Sequence, residues 1–87
     1  STYNKDMQED NDQQIEHTLE FLAELFTIKK DYTKVQEFYE KAYYLNIGRY
    51  GVNNTVAREY KRKKEQYENY LGKKEANEYE NYYYKYH

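Results

Sequence analysis

The sequence predicts a small all-α protein, with three to four helices arranged as antiparallel hairpins. Three observations support this class. The chain has 87 residues without a single Pro, apolar residues recur at three- and four-residue steps, and short polar stretches interrupt this pattern. A chain of this length forms one small domain with a modest hydrophobic core.

The predicted elements follow from where this periodicity starts and stops. Residues 1–11 lack it, and we expect them to form a flexible polar arm before a single small helical domain at 12–87. Gly72 is expected to break or kink the chain within that domain. The predicted helices cover about residues 12–30, 33–47, 55–71 and 74–85.

Start and stop signals refine these boundaries. Thr33 has the spacing of a capping box, so it is the predicted N-cap of the second helix. Gly48 or Gly51 is expected to end that helix, and Asn54 or Thr55 to begin the next. Because the connections are only a few residues long, we expect neighbouring helices to pack antiparallel.

Tyrosine dominates the predicted packing, with fourteen Tyr against three Phe and no Trp. A Tyr ring can be buried while its hydroxyl binds a polar group. In the first helix, Glu16, Glu20 and Glu24 are predicted to lie opposite the apolar residues. The predicted core consists of Leu19, Leu22, Ala23, Phe26, Tyr32, Val35, Tyr39, Ala42, Tyr60 and Tyr67.

The first half of the chain resembles a tetratricopeptide repeat, and the resemblance covers about residues 15–76. The matching residues are Leu19, Leu22, Ala23 and Phe26 on the first helix, Tyr32 in the turn, and Val35, Tyr39 and Ala42 on the second. Residues 50–57 resemble the linker of the kinesin-light-chain type of repeat. A 41-residue offset relates Leu19 to Tyr60, Phe26 to Tyr67 and Val35 to Ala76, with the expected loops in corresponding places.

This resemblance implies a non-catalytic protein–protein interaction module or adaptor. In that family, residues of the first helix of each unit line a concave groove that binds another protein. The candidate partner-binding residues are therefore Arg58, Lys61, Arg62, Glu65, His17, Glu20 and Glu24. The basic residues among them predict an acidic peptide or protein segment as the partner.

Other roles remain open from the sequence. The chain could be a small structural subunit of a larger assembly, including one that it forms by self-association, or a mobile-element-encoded helical inhibitor of a host protein. The basic run at residues 58–64 also suggests contact with nucleic-acid phosphates. The net charge of −2 disfavours nucleic acid as a partner.

Several classes of activity are not expected. The absence of Cys excludes disulfides and thiolate metal sites, and the two histidines are His17 and the terminal His87. Without a phosphate-binding loop or a nucleophile motif, we expect no enzyme, no cofactor and no metal. Since no apolar run is long enough to span a bilayer, we expect no membrane partner and a cytoplasmic location.

Overall fold

The structure is a computed structural model that describes residues 5–86, without the side chains of residues 5, 6, 9 and 86. Within that range the chain forms three helices and no strand, which confirms the all-α class. The helices are α1 (Lys5–Ile28), α2 (Tyr32–Tyr50) and α3 (Thr55–Tyr86).

Helix α1 begins earlier than the sequence predicts. Residues 5–11, expected to belong to a flexible arm, form the first turns of α1, and residues 1–4 of that arm lie outside the described residues. The prediction relied on apolar periodicity, which reports a buried face. A polar segment without Pro or Gly can nevertheless continue a helix beyond its core contacts.

The turn between α1 and α2 also differs from the prediction. Lys30 has a left-handed backbone (φ 62°), and the Asp31 N–H donates to the Phe26 carbonyl, so α1 closes within two residues. Asp31 is therefore the N-cap of α2, and its Oδ1 accepts from the N–H of Lys34 at 3.4 Å. The predicted N-cap at Thr33 is wrong because this early turn brings a carboxylate to the helix start.

The second turn follows the predicted signals. Gly51 ends α2 with φ 79°, a conformation that favours glycine, and its N–H donates to the Ile47 carbonyl at 2.8 Å. The Asn54 Oδ1 accepts from the N–H of Ala57 at 2.9 Å, which confirms Asn54 as the N-cap of α3.

Helix α3 is a single element of 32 residues, so the separate helix predicted at 74–85 is wrong. It runs through Gly72, since a glycine weakens a helix interior by about 1 kcal/mol relative to Ala without forcing a break. The 41-residue offset would place a turn near residues 69–73, and α3 is continuous there.

The core lies on both sides of α2, because α1 and α3 each pack against this middle helix. Its fully buried small residues, such as Ala23 and Ala42, allow close helix contact. The buried cluster consists of Ala23, Val35, Tyr39, Ala42 and Tyr60. Packed against it are Leu19, Phe26, Tyr32, Phe38, Tyr43 and Tyr67. Leu22, also predicted as core, is half-buried outside this cluster.

Aromatic pairs fix α3 against α2. The Tyr32 ring stacks on Tyr67 with centroids 5.3 Å apart. It also forms a T-shaped contact with the Tyr70 ring, with centroids 4.9 Å apart. Farther along, the Tyr39 and Tyr60 rings lie 6.2 Å apart. Such offset and edge contacts are the favoured arrangements of aromatic rings.

Two lysines of α3 occupy positions where apolar residues would be expected. The Lys63 Nζ lies 5.2 Å from the Tyr39 ring centroid, and the Lys64 Nζ lies 3.8 Å from Glu40 Oε1. Both lysines are half-buried, so their aliphatic stems cover the core while their charges interact with α2.

Helix α3 continues well past the end of its contact with α2. Its 32 residues against 19 in α2 make it about 20 Å longer. The described chain accordingly measures 66 × 25 × 22 Å. Every residue from 72 to 85 is exposed. We call residues 72–85 the extension, and residues 5–71 the body.

Candidate functional site

A buried polar cluster joins the three helices. The Tyr60 hydroxyl donates to Glu16 Oε2 at 3.1 Å and lies 3.2 Å from Glu20 Oε2. The Asn46 Nδ2 donates to Glu16 Oε2 at 3.4 Å, and the Arg49 Nη1 lies 3.5 Å from Glu16 Oε1. We call Glu16, Asn46, Arg49 and Tyr60 the polar cluster.

Helical spacing explains why these residues meet. Asn46 continues the buried stripe of Val35, Tyr39 and Ala42 at three- and four-residue steps. Glu16 lies seven residues before Ala23 and shares its face, so the prediction that Glu16 points away from the apolar side is wrong. The signal that could have identified both residues is a polar group in register with an apolar stripe.

The polar cluster keeps the Tyr60 side chain protonated and neutral. Burial, reinforced by the negative charges of Glu16 and Glu20, raises the pKa of Tyr60 above the usual value for tyrosine. Burial likewise raises the pKa of Tyr39 to about 12. At neutral pH Tyr60 is therefore a hydrogen-bond donor to carboxylates, and the cluster links α1 to α3 without direct backbone contact between them.

The predicted partner-binding residues of α3 lie on the side of α3 opposite the polar cluster. Arg58, Lys61 and Glu65 are exposed, and their spacing places them on the face turned away from Tyr60. Arg62 is also exposed, but it is held by Glu59 through Nε at 3.0 Å and Nη2 at 2.6 Å.

The predicted residues of α1 are separate from this face. His17 and Glu24 are exposed, whereas Glu20 is half-buried beside the Tyr60 hydroxyl. Within the described part of the chain, no hydrogen bond or ion pair joins these three residues to Arg58, Lys61, Arg62 or Glu65. The structure thus brings Glu20 to α3 but does not assemble the two sets into one cluster.

One exposed stripe runs along the outer face of α3. Its first half carries Arg58 and Lys61, and its second half, in the extension, carries Tyr79 and Tyr83. The stripe, which we call the outer stripe, consists of Arg58, Lys61, Glu65, Glu68, Gly72, Ala76, Tyr79 and Tyr83, at three- and four-residue steps. Tyr79 is 70% exposed and Tyr83 48% exposed.

A groove of about 390 Å³ lies on α1 and was not found by sequence reasoning. Ile15 and Leu19 supply its apolar part, and the neighbouring polar groups belong to Asn11, Gln14 and Thr18. Ile15 is 49% exposed in the body, although its side chain is large and apolar. We call these five residues the α1 groove.

Comparison with known proteins gives no guide to this chain, since no family model, curated protein or solved structure matches it. Across residues 5–86, no group of three or more His, Cys, Asp or Glu side chains is arranged to hold a metal ion. None of the helices in this range combines the length and apolar character needed to cross a bilayer.

Proposed function

We propose that this chain is a non-catalytic protein-binding module and that the basic half of the outer stripe binds an acidic segment of a partner protein. One observation carries this proposal. Arg58 and Lys61 are exposed on the face of α3 turned away from the core, so folding does not use them.

Three other cations of the body, by contrast, already have an internal carboxylate partner. Arg49 is held by Glu16, Lys64 by Glu40 and Arg62 by Glu59. In the described residues Arg58 and Lys61 form no ion pair, so a partner carboxylate could bind them without displacing an internal one.

We further propose that α1 and α2 form an antiparallel hairpin like that of a tetratricopeptide repeat, with α3 as the first helix of a further unit. The contacts of α1 with α2 support this. The ring centroids of Phe26, near the end of α1, and Phe38, in the first half of α2, lie 5.4 Å apart. Glu16, in the first half of α1, hydrogen-bonds to Asn46 near the end of α2, so the two helices run in opposite directions along each other. The buried small residues of the two helices, Ala23 and Ala42, are those on which the resemblance rests.

A second candidate role is that of a small structural subunit in an assembly. The exposed tyrosines of the extension favour it, because a solvent-facing aromatic stripe on a helix suits contact with another chain. This role uses a different part of α3 from the basic residues and is compatible with them.

The test is binding to an array of acidic peptides, followed by fluorescence anisotropy on the peptides that bind. We expect Arg58→Glu with Lys61→Glu to weaken binding by about tenfold or more, because two attractive charges become repulsive. The matched control is Lys41→Glu with Lys73→Glu, which makes the same charge change at exposed positions outside the outer stripe.

Circular dichroism should show that both double variants remain folded. Equal loss of binding in the two double variants would mean that net charge alone explains the effect, which would contradict a specific site. Stronger binding to duplex DNA than to every peptide, falling steeply with added salt, would instead support the nucleic-acid alternative.

A further inference from the structure

We propose that the polar cluster binds one ordered internal water, which joins Glu16 of α1 to Asn46 and Arg49 of α2 through three hydrogen bonds. The water accepts a hydrogen bond from the Arg49 guanidinium and donates one each to the Glu16 carboxylate and the Asn46 amide oxygen. The polar cluster lies on the side of α3 away from the outer stripe. The inference is therefore independent of the acidic-partner site, and either can fail without the other.

The three side chains that bind this water are buried. Asn46 is 2% exposed, and the side chains of Glu16 and Arg49 are 7% and 10% exposed. Bulk solvent therefore does not reach most of their polar atoms. A buried polar atom that forms no hydrogen bond destabilises the fold by the full cost of removing it from water, so each of these atoms needs a partner.

Each of the three residues has one buried atom without a hydrogen-bond partner in the described part of the chain. These atoms are Oε1 of Glu16, Oδ1 of Asn46 and Nη1 of Arg49. Their neighbours in the same groups are already bonded. Glu16 Oε2 accepts from Tyr60 and Asn46, and Arg49 Nη2 donates to the Tyr50 hydroxyl. The fold thus holds all three side chains in place while one polar atom of each remains unsatisfied.

The number and type of these atoms match one water molecule. A carboxylate oxygen and an amide oxygen accept hydrogen bonds, whereas a guanidinium nitrogen only donates them. A water has two hydrogens to donate and lone pairs with which to accept, so one molecule satisfies two acceptors and one donor. Buried waters in proteins typically form about three hydrogen bonds to otherwise unsatisfied groups.

The spacing of Glu16 and Arg49 is also compatible with a water bridge. Glu16 Oε1 and Arg49 Nη1 lie 3.5 Å apart, which is long for a hydrogen bond between two charged groups. A water at about 2.8–3.0 Å from both atoms forms a triangle with them at ordinary hydrogen-bond lengths. The bridge therefore strengthens this ion pair without displacing it.

A small polar cavity beside Arg49 gives water a path to the polar cluster. It has a volume of about 130 Å³ and is lined by Asp10, Gln13, Arg49 and Tyr50. Asp10, Gln13 and Tyr50 are exposed, so the cavity opens to solvent. One water occupies about 30 Å³ in the liquid, and a polar lining favours its entry.

Nuclear magnetic resonance on the full chain tests the proposal. The frequency dependence of water ¹⁷O relaxation counts long-lived internal waters, and we expect at least one in the unaltered chain. The side-chain amide protons of Asn46 should show cross-relaxation with this water. Asn46→Leu removes one acceptor and replaces it with apolar surface, so we expect the count to fall by one. The matched control is Asn69→Leu at an exposed position, which should leave the count unchanged.

Tyr60→Phe separates a bound water from a relayed signal. A phenol proton that exchanges with solvent could also produce cross-relaxation at Asn46, and this variant removes the phenol while keeping the three unsatisfied atoms. A bound water predicts that the signal and the count persist. Loss of both in Tyr60→Phe, no long-lived water in the unaltered chain, or an unchanged count in a folded Asn46→Leu variant would overturn the proposal. If Asn46→Leu does not fold, the unaltered chain and Tyr60→Phe decide the question.

Discussion

The two halves of α3 are both rich in Tyr, Lys and Glu but have different surroundings. In the body, Tyr60 is buried and Tyr67 stacks on Tyr32, whereas Tyr79 and Tyr83 in the extension face solvent. The residue type and the helix are the same in both halves. Contact with α2 therefore decides whether a tyrosine of α3 packs into the body or faces solvent.

This difference arises from helix length. Helix α2 ends after 19 residues, so the later turns of α3 have no neighbour of matching length to cover them. The body consequently contains the buried apolar residues and the polar cluster, while the extension presents tyrosines and charges to water. We expect the two parts to respond very differently to the same substitution.

The largest contrast is expected between Tyr39→Ala and Tyr79→Ala. Removal of the buried Tyr39 ring should lower the free energy of unfolding by about 3–5 kcal/mol, because a cavity forms and aromatic contacts are lost. Removal of the exposed Tyr79 ring should change it by less than about 0.5 kcal/mol. Urea unfolding followed by circular dichroism in dilute solution measures both, and similar losses would mean that the extension belongs to the folded unit.

The polar cluster should produce the next largest effect. We expect Glu16→Ala to lower the free energy of unfolding by about 3 kcal/mol, because Arg49, Asn46 and Tyr60 lose their shared buried partner. Glu24→Ala, at an exposed position of the same helix, should be nearly neutral. Equal unfolding midpoints and slopes for these two variants would show that the cluster does not stabilise the body.

The pH dependence of stability should report on the two tyrosines buried in the body. The pKa of Tyr60 is raised above its ordinary value of 10.0, so the folded state holds the phenol proton more tightly than the unfolded state. Its contribution should be fully present below pH 10 and decline as the pH rises further, and Tyr39, with a pKa of about 12, should add to this decline.

Urea unfolding at a series of alkaline pH values measures this contribution. Tyr60→Phe should be less stable at neutral pH but should lose less stability above pH 10, because the titrating group is gone. A Tyr60→Phe profile parallel to that of the unaltered chain would contradict the coupling of this phenol to folding.

The smallest expected effect compares two helical glycines. A Cβ at Gly48 in α2 or at Gly72 in α3 would meet no atom within 4 Å, so alanine fits both positions. Gly48→Ala should raise the free energy of unfolding by about 0.5–1 kcal/mol. Gly72→Ala should increase helical ellipticity while leaving the unfolding midpoint of the body unchanged. An equal gain in the free energy of unfolding from both substitutions would mean that body and extension unfold together.

The sequence predicts those features that depend on local patterns. The spacing of Val35, Tyr39 and Ala42 indicates the buried face of α2, and the turn chemistry of Gly51 and Asn54 indicates the boundary with α3. Each of these signals lies within a few residues of the feature that it predicts.

The features that the sequence misses depend on other parts of the molecule. Asp31 replaces Thr33 as a cap because Lys30 adopts a left-handed conformation, and no residue type near it requires that conformation. Glu16 is buried because partners on two other helices bind its carboxylate. Likewise, the separation of His17 from Arg58 reflects how the helices pack, which spacing along one helix cannot indicate.

Native-state hydrogen exchange on the full chain in dilute solution tests the division between body and extension most directly. We expect amides around Ala42 and Tyr60 to exchange only as fast as global unfolding allows, whereas amides of residues 76–85 should exchange with little protection. Protection of residues 76–85 equal to that of Tyr60 would contradict the division. The extension would then unfold together with the body as one cooperative unit.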